Sequence, residues 1–357
     1  MAALEATSRT VKRVTSIDVA KLAGVSQSSV SRVFSPNANV SAEKRERILA
    51  AAHQLGYKPN VLARGLITQS TNLIGVVVAD VASLFYANFL SALTQRLSAI
   101  GKQIILFNVG LTQTADDVLP TLLSYQVDAL IIAATTLSTD MAADCARNGT
   151  PVILFNRDVE LDQVSSISID NEAGARQIAE LMLSNGHQRF GYIAGIVSTQ
   201  TNRRRERGYF DRLRQAGIDT ILRAQGDYSY ESGKAAALQL LTRADRPDTL
   251  FCASDPMALG AIDAARSLGL RVPQDVSVAG FDNVPQAAWA AYQLTTIAQP
   301  MDALLDATMN RLEDRLSGVV EEGFRPKTKL IPGQLIVRQS VKVSVQPIVG
   351  LPHNRRR

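Results

Sequence analysis

One pattern recurs from Leu73 to Asp282, a short apolar run followed by a stretch long enough for a helix. The runs are LIGVVVA (73–79), QIILFNV (103–109), ALIIAA (129–134), PVILF (151–155), FGYIAG (190–195), TLFCAS (249–254) and VSVAGFD (276–282). Strands that are apolar at nearly every position are buried on both faces, which requires a parallel sheet with helices on either side. Helices are predicted from about Ala87 to Ile100 and near Ala115 to Tyr125. The number of runs points to two doubly wound units, and a cleft is expected between them. Ligands of such sheets sit beyond the carboxyl ends of the strands.

Several function classes find no support. No GxGxxG or GxxxxGK[ST] loop follows a strand, so nucleotide binding by those devices is not expected. His53, His187 and His353 are isolated and neither HExxH nor GxSxG occurs, so no catalytic set is predicted. His187 reads as a helix-terminus or turn residue. Cys145 and Cys252 lack CxxC or metal-ligand spacing and read as buried free thiols. The longest apolar stretches, such as Leu73 to Ala79, fall far short of the roughly 18 to 20 residues a bilayer span requires. The opening MAALEATSRTVKRV carries no apolar segment behind its basic residues, and a cytoplasmic protein is expected.

The first sixth of the 357-residue chain differs in charge. Residues 1–66 hold ten Lys/Arg against four Asp/Glu, a net of +6, whereas the whole chain is +5 and the remainder therefore about −1. A basic head on a neutral body suggests that the head meets a polyanion. Its local signals form a helix-turn-helix. Thr15-Ser16-Ile17-Asp18 has the form of a capping box, so a helix should start near Ser16. Ile17, Val19, Ala20, Leu22 and Ala23 are expected to give its buried face. Gly24 supplies a turn, Val25 fills the space between helices, and Ser26 caps a second helix from Gln27 to Val33. Ser41 as cap, Glu43, the apolar Ile48, Leu49, Ala52 and Leu55, and Gly56 as terminator mark a third. With Val30 and Val33 turned to the core, Gln27, Ser28, Ser29, Ser31 and Arg32 point outward. Base edges in a major groove need such groups: Arg suits guanine, Gln suits adenine, and Ser either. Beyond Tyr57, Pro59 breaks the third helix, Asn60 can cap a short further one, and Gly65 weakens it by roughly 1 kcal/mol relative to alanine. So short a helix is marginal without a partner surface.

DVAKLAGVSQSSVSRV, VSAEKRERILAAAHQLGYKPN and ARGL resemble the head of the lactose-repressor (LacI/GalR) family of bacterial transcription regulators. The resemblance implies base contacts from Gln27, Ser28 and Arg32, with Ser26, Ser31 and Asn39 near phosphates. Thr15, Ser16, Asn60 and Ala63 complete the expected DNA-binding set. It also implies a hinge helix in which Leu66 wedges between central base pairs from the minor groove and Leu62 packs on its dimer mate.

The resemblance extends through roughly residues 15–340, with a body similar to periplasmic sugar-binding folds. It places effector contacts on Phe85, Tyr86, Thr199, Thr201, Arg203, Arg205, Tyr228, Ser254, Asp255 and Asp282. Aromatic rings, guanidinium and carboxylate at strand ends can stack on a sugar and fork its hydroxyls. Two departures from the family pattern alter this outline: Ser83-Leu84 replaces the common Asn-Pro, and Ser254 replaces the usual Asn before Asp255. The fold expected is a small all-α helix-turn-helix head plus an α/β body of two doubly wound parallel-sheet subdomains. The divisions are a disordered basic arm (1–14), DNA-binding domain (15–58), hinge and linker (59–71), effector-binding and dimerisation domain (72–340) and tail (341–357). The tail has Pro347 and Pro352 and no leucine heptad, which speaks for a homodimer on a near-palindromic operator rather than a coiled-coil tetramer. The implied function is a transcription regulator, more often a repressor, controlled by a small molecule such as a sugar, with no cofactor. A sugar-binding or sugar-modifying protein with an incidental basic head, a nonspecific architectural DNA binder, and control by a partner protein remain alternatives.

Overall fold

The computed structural model describes residues 14–34, 40–58, 70–110, 113–133, 138–157, 164–317 and 328–343. Asn39, Asn60, Leu62, Ala63 and Leu66 lie outside them. The chain divides into two compact units, Met1–Asn72 and Leu73–Arg357.

The head contains α1 (Ser16–Ala23), α2 (Gln27–Val33) and α3 (Ala42–Leu55). The capping box forms as expected. The Thr15 amide donates to Asp18 Oδ2 at 2.9 Å, and the Asp18 amide donates to Thr15 Oγ1 at 3.4 Å. Gly24 (φ 62°) and Gly56 (φ 65°) end α1 and α3 in the left-handed conformation that costs glycine little. Ser26 caps α2 by accepting from the Ser29 amide at 3.3 Å, whereas Ser41 occupies the cap position of α3 without a side-chain bond. Val19, Ala20, Ala23, Val30, Val33, Ile48, Ala51 and Ala52 form the core, with Val25 and Leu55 packed around it. Three residues expected in that core are not there: Ile17, Leu22 and Leu49 are 49%, 47% and 43% exposed. At about 100° per residue each lies roughly 100° from the centre of its helix's buried stripe.

The body holds two six-stranded sheets. The first contains β1 (Leu73–Val78), β2 (Gln103–Asn108), β3 (Ala129–Ala133), β4 (Val152–Phe155) and β5 (Ser165–Ile169), with β11 (Thr328–Ile331) at its edge. All its pairings are parallel, in the order β2-β1-β3-β4-β5-β11. The second contains β6 (Phe190–Ala194), β7 (Ile221–Gln225), β8 (Thr249–Cys252), β9 (Ser277–Asp282) and β10 (Thr295–Ala298). There β12 (Gln334–Ile336) pairs antiparallel with β10, and the order is β7-β6-β8-β9-β10-β12. The helices are α4 (Leu84–Ala99), α5 (Ala115–Ser124), α6 (Thr139–Arg147), α7 (Asn171–Ser184), α8 (Gln200–Gln215), α9 (Tyr230–Leu241), α10 (Asp255–Ser267) and α11 (Met301–Leu316). Strand order reverses at β1 in one sheet and β6 in the other, so each has a switch point of the kind that receives ligands.

The chain crosses between the sheets three times. It leaves β5 into α7, which packs in the second core through Ala175, Ile178 and Met182. It returns after β10 into α11, whose Leu304, Leu305 and Leu312 belong to the first. It crosses once more between β11 and β12.

Candidate ligand and DNA-binding sites

In the head, the start of α2 lies against the start of α1. Gln27 Nε2 donates to Ser16 Oγ at 3.1 Å, and Ser26 Oγ lies 2.9 Å from Ser28 Oγ and 3.0 Å from Ser29 Oγ. Gln27, Ser28, Ser31 and Arg32 are exposed, while Ser29 is half-buried. No carboxylate among the described residues lies within 4 Å of Arg32, so its donors face solvent. The Thr15 side chain is engaged in the capping box, its hydroxyl donating to Asp18 at 2.7 Å. Sequence reasoning thus located a continuous strip of short donors and acceptors with one guanidinium.

In the body, the carboxyl ends of the second sheet and the helices that follow them build a buried polar cluster around Arg205, on α8. Its Nε donates to Asn171 Oδ1 at 2.8 Å, Nη1 to the Ala253 carbonyl at 2.5 Å, and Nη2 to Asp282 Oδ1 at 3.1 Å. The guanidinium also lies 3.7 Å from the centre of the Phe281 ring, a cation–π contact. Gln299 Nε2 donates to the same Asp282 oxygen at 2.7 Å. Burial pushes the Asp282 carboxyl up, and the Arg205 charge opposes that shift. Tyr228, held at φ 76°, shares a 3.0 Å hydrogen bond with Thr199 Oγ1. Its ring lies so close to β6 that a Cβ on Gly195 would come within 2.2 Å of it. Thr199 also caps α8 by accepting from the Asn202 amide at 3.2 Å. Tyr86, from the helix after β1, feels the charges of Tyr228, Asp282, Arg157 and Arg205, and burial raises its phenol.

The cluster therefore unites five expected residues: Tyr86, Thr199, Arg205, Tyr228 and Asp282. The other five stand apart from it to different degrees. Phe85 is a core residue, its ring 6.5 Å from Phe155 in the first hydrophobic core, and its neighbour Tyr86, which packs on the edge of that core, also feels the charges of the polar groups. Asp255 is fully buried and both of its oxygens are engaged, accepting from Thr296 Oγ1 at 2.6 Å and from the Val284 amide at 2.9 Å. It pins the loop after β9. Burial, reinforced by Asp282, pushes its carboxyl up to about 7. Arg203 is exposed and donates to Gln200 at 3.2 Å, within its own helix. Thr201 is half-buried, and Ser254 is buried with its hydroxyl unpaired.

Sequence reasoning missed Asn171, Gln299, Asn156 and Arg157. Asn156 and Arg157 follow the PVILF run directly, so their strand-end position was a usable signal; Asn171 and Gln299 follow strands that were not predicted. A separate cavity of about 260 Å³ beside Asp170, Glu172, Arg176 and Arg204 shares only Asn171 with the cluster. Among the described residues no group of His, Cys, Asp and Glu could hold a metal ion, and no helix is long and apolar enough to cross a membrane. Cys145 and Cys252 are buried thiols, and burial pushes Cys145 up to about 11.

The sequence pattern of the lacI family of bacterial regulatory proteins matches residues 15–60, and that of periplasmic-binding-protein-like domains matches 179–341. Catabolite control protein A of Priestia megaterium is 31% identical over 334 residues, spanning 92% of this chain and 99% of that protein. The chain belongs to the LacI family of transcriptional regulators. Its relatives are regulators and not enzymes, in keeping with the absence of a catalytic motif. The crystal structure of the Lac repressor dimer bound to operator and the anti-inducer ONPF matches this LacI-family chain with a TM-score of 0.82. That pair is 30% identical and spans 93% and 100% of the two chains. A CelR–cellobiose complex is 31% identical, with a TM-score of 0.68 over 92% of this chain and all of that one.

Proposed function

We propose that this LacI-family regulator is a cytoplasmic homodimeric repressor that binds a near-palindromic operator and changes its grip when a small molecule, a sugar or sugar derivative, occupies the cluster around Arg205. The observation that carries the reading is the buried Arg205–Asp282 pair, at 3.1 Å, whose charges Tyr86 and Tyr228 both feel. Buried charge is costly, and a protein retains it where it is paired and positioned for use. The Lac repressor bound to operator and the CelR complex with cellobiose support the two halves of the proposal.

Gln27, Ser28 and Arg32 would read base edges, with Ser26, Ser31 and Asn39 at phosphates. Residues 59–66, including Asn60, Leu62, Ala63 and Leu66, would fold as a hinge against DNA. Because that segment is marginal as a helix, a coupling of about 1–3 kcal/mol from the body suffices to decide whether it folds. A gel shift against the DNA upstream of the chain's own gene tests the proposal, with sequence-specific retention expected. Leu66→Ala should lose operator affinity while the body keeps its affinity for the small molecule; unaltered operator binding would remove the hinge from the model. Arg32→Ala should relax base preference by about 1–3 kcal/mol at one position.

A further inference from the structure

The residues expected to read base edges are not held alike. Arg32 is exposed, on a long side chain free to adapt. Gln27 is exposed as well, yet its amide is tied down: Nε2 donates to Ser16 Oγ at 3.1 Å, a bond between the first residue of α2 and the first residue of α1. Both ends of that bond sit on anchored backbone. Ser16 lies inside the capping box of Thr15 and Asp18, Gln27 follows the Ser26 cap, and Val19 and Val30 bury the two helices in one core. Among the described residues Gln27 Oε1 takes no donor, and the Ser16 hydroxyl makes no bond besides the one to Gln27.

A side-chain amide carries an acceptor on one side and donors on the other, and turning it over exchanges them. Pinned through its nitrogen, Gln27 presents Oε1 and its remaining N–H. Adenine has the complementary major-groove edge, an N7 acceptor beside an N6 amine; guanine offers two acceptors, thymine an acceptor and a methyl group, and cytosine a donor alone. The Ser16 hydroxyl adds a second condition, because its proton is unspent. A phosphate oxygen can only accept, so a Ser16 that gives its proton to the DNA backbone can only accept from Gln27, and the amide then has no partner if it turns over.

We propose that Ser16 is a positioning residue for sequence specificity: it locks Gln27 with Oε1 outward, so that the head reads adenine at one position of each half-site, and it couples that reading to a phosphate contact. The inference rests on the operator-binding function proposed above and specifies part of the operator. A Ser16 that serves the backbone contact alone would change affinity for every sequence by the same factor.

Selection from a randomised duplex library with the full chain, followed by titration of single duplexes, tests this. The wild type is expected to enrich a near-palindromic sequence with adenine at the half-site position where Gln27→Ala loses its preference. Ser16→Ala should lower the preference for adenine there by about tenfold and leave other positions unchanged. Ser16→Thr, which keeps the hydroxyl, should retain the preference. Replacing that adenine by purine, which lacks the N6 amine, should weaken wild-type binding by about tenfold. Circular dichroism establishes that each variant is folded, and the purine duplex with the wild type decides the matter even where a variant is not. The proposal is overturned if the base read by Gln27 is not adenine, if Gln27→Ala loses no preference, if purine binds as tightly, or if a folded Ser16→Ala keeps the preference or loses affinity equally on all four bases. Any of these results beside an enriched wild-type sequence overturns this inference alone. Enrichment of no sequence by the wild type, with or without added sugars, overturns the regulator reading and this inference with it.

Discussion

Arg205 shows how much one side chain can hold in place. It is 2% exposed, bridges α7, the end of β8 and the end of β9, and carries the charge that balances Asp282. Arg205→Ala would leave a buried carboxylate without its partner, at a cost of about 3–5 kcal/mol. Chemical denaturation should report a loss of that size, and a loss below about 1 kcal/mol would show that water replaces the guanidinium. Asp255 supplies a pH prediction. Its carboxyl titrates near 3.8 in the unfolded chain and is pushed up to about 7 in the folded one. Below the lower value both states hold the proton and burial carries no ionic cost. As pH rises through this window the unfolded chain releases its proton first, so this group's contribution to stability declines until the folded carboxyl also ionises. Asp255→Asn keeps the shape and can accept from Val284 while donating to Thr296. Its melting midpoint should therefore gain on the wild type, by an amount worth a few kcal/mol, between about pH 4 and pH 7. A constant difference across that range would refute the assignment. At this scale the sequence was legible where the family resemblance supplied positions, as for Arg205 and Asp282. It was not legible for Phe85, because its burial against Phe155 arises from tertiary packing that a pair of adjacent aromatic residues does not announce.

Elements were readable from the sequence where local signals and burial agreed. The capping box of α1 and the apolar runs of β3 and β4 appear where the pattern put them, whereas β5, with the sequence SSISI, escaped notice. Its Ser165, Ser166 and Ser168 are buried, which a hydropathy pattern excludes. Two of them are satisfied locally, Ser166 by the Arg157 carbonyl and Ser168 by the Ile169 carbonyl, so the polar atoms cost little. The edge strands β7, β11 and β12 escaped for the complementary reason, since half-exposed edges need no continuous apolar run. Thr15→Ala would remove the reciprocal cap of α1 and destabilise that helix by about 1 kcal/mol. Hydrogen exchange at the α1 amides should accelerate about fivefold while amides in β8 stay protected. Gly195→Ala would drive a methyl into the Tyr228 ring and cost about 1–3 kcal/mol as the loop shifts. A wild-type melting midpoint in that variant would mean that Tyr228 moves freely.

For the molecule as a whole, charge and connectivity matter more than any one contact. The head is net +6 and the rest about −1, so operator affinity should fall steeply with salt. Lys58→Ala is expected to weaken binding to all sequences and to reduce the slope of log affinity against log salt by about 1; an unchanged slope would place Lys58 away from phosphate. The third crossing between the two sheets has a temporal consequence. Only two residues separate β11 from β12, and each completes an edge of a different sheet. During synthesis from the amino end, the first sheet receives its last strand once residue 331 has left the ribosome and the second once residue 336 has, so the two are completed almost together. The two halves of the body therefore mature nearly as one event, late in synthesis.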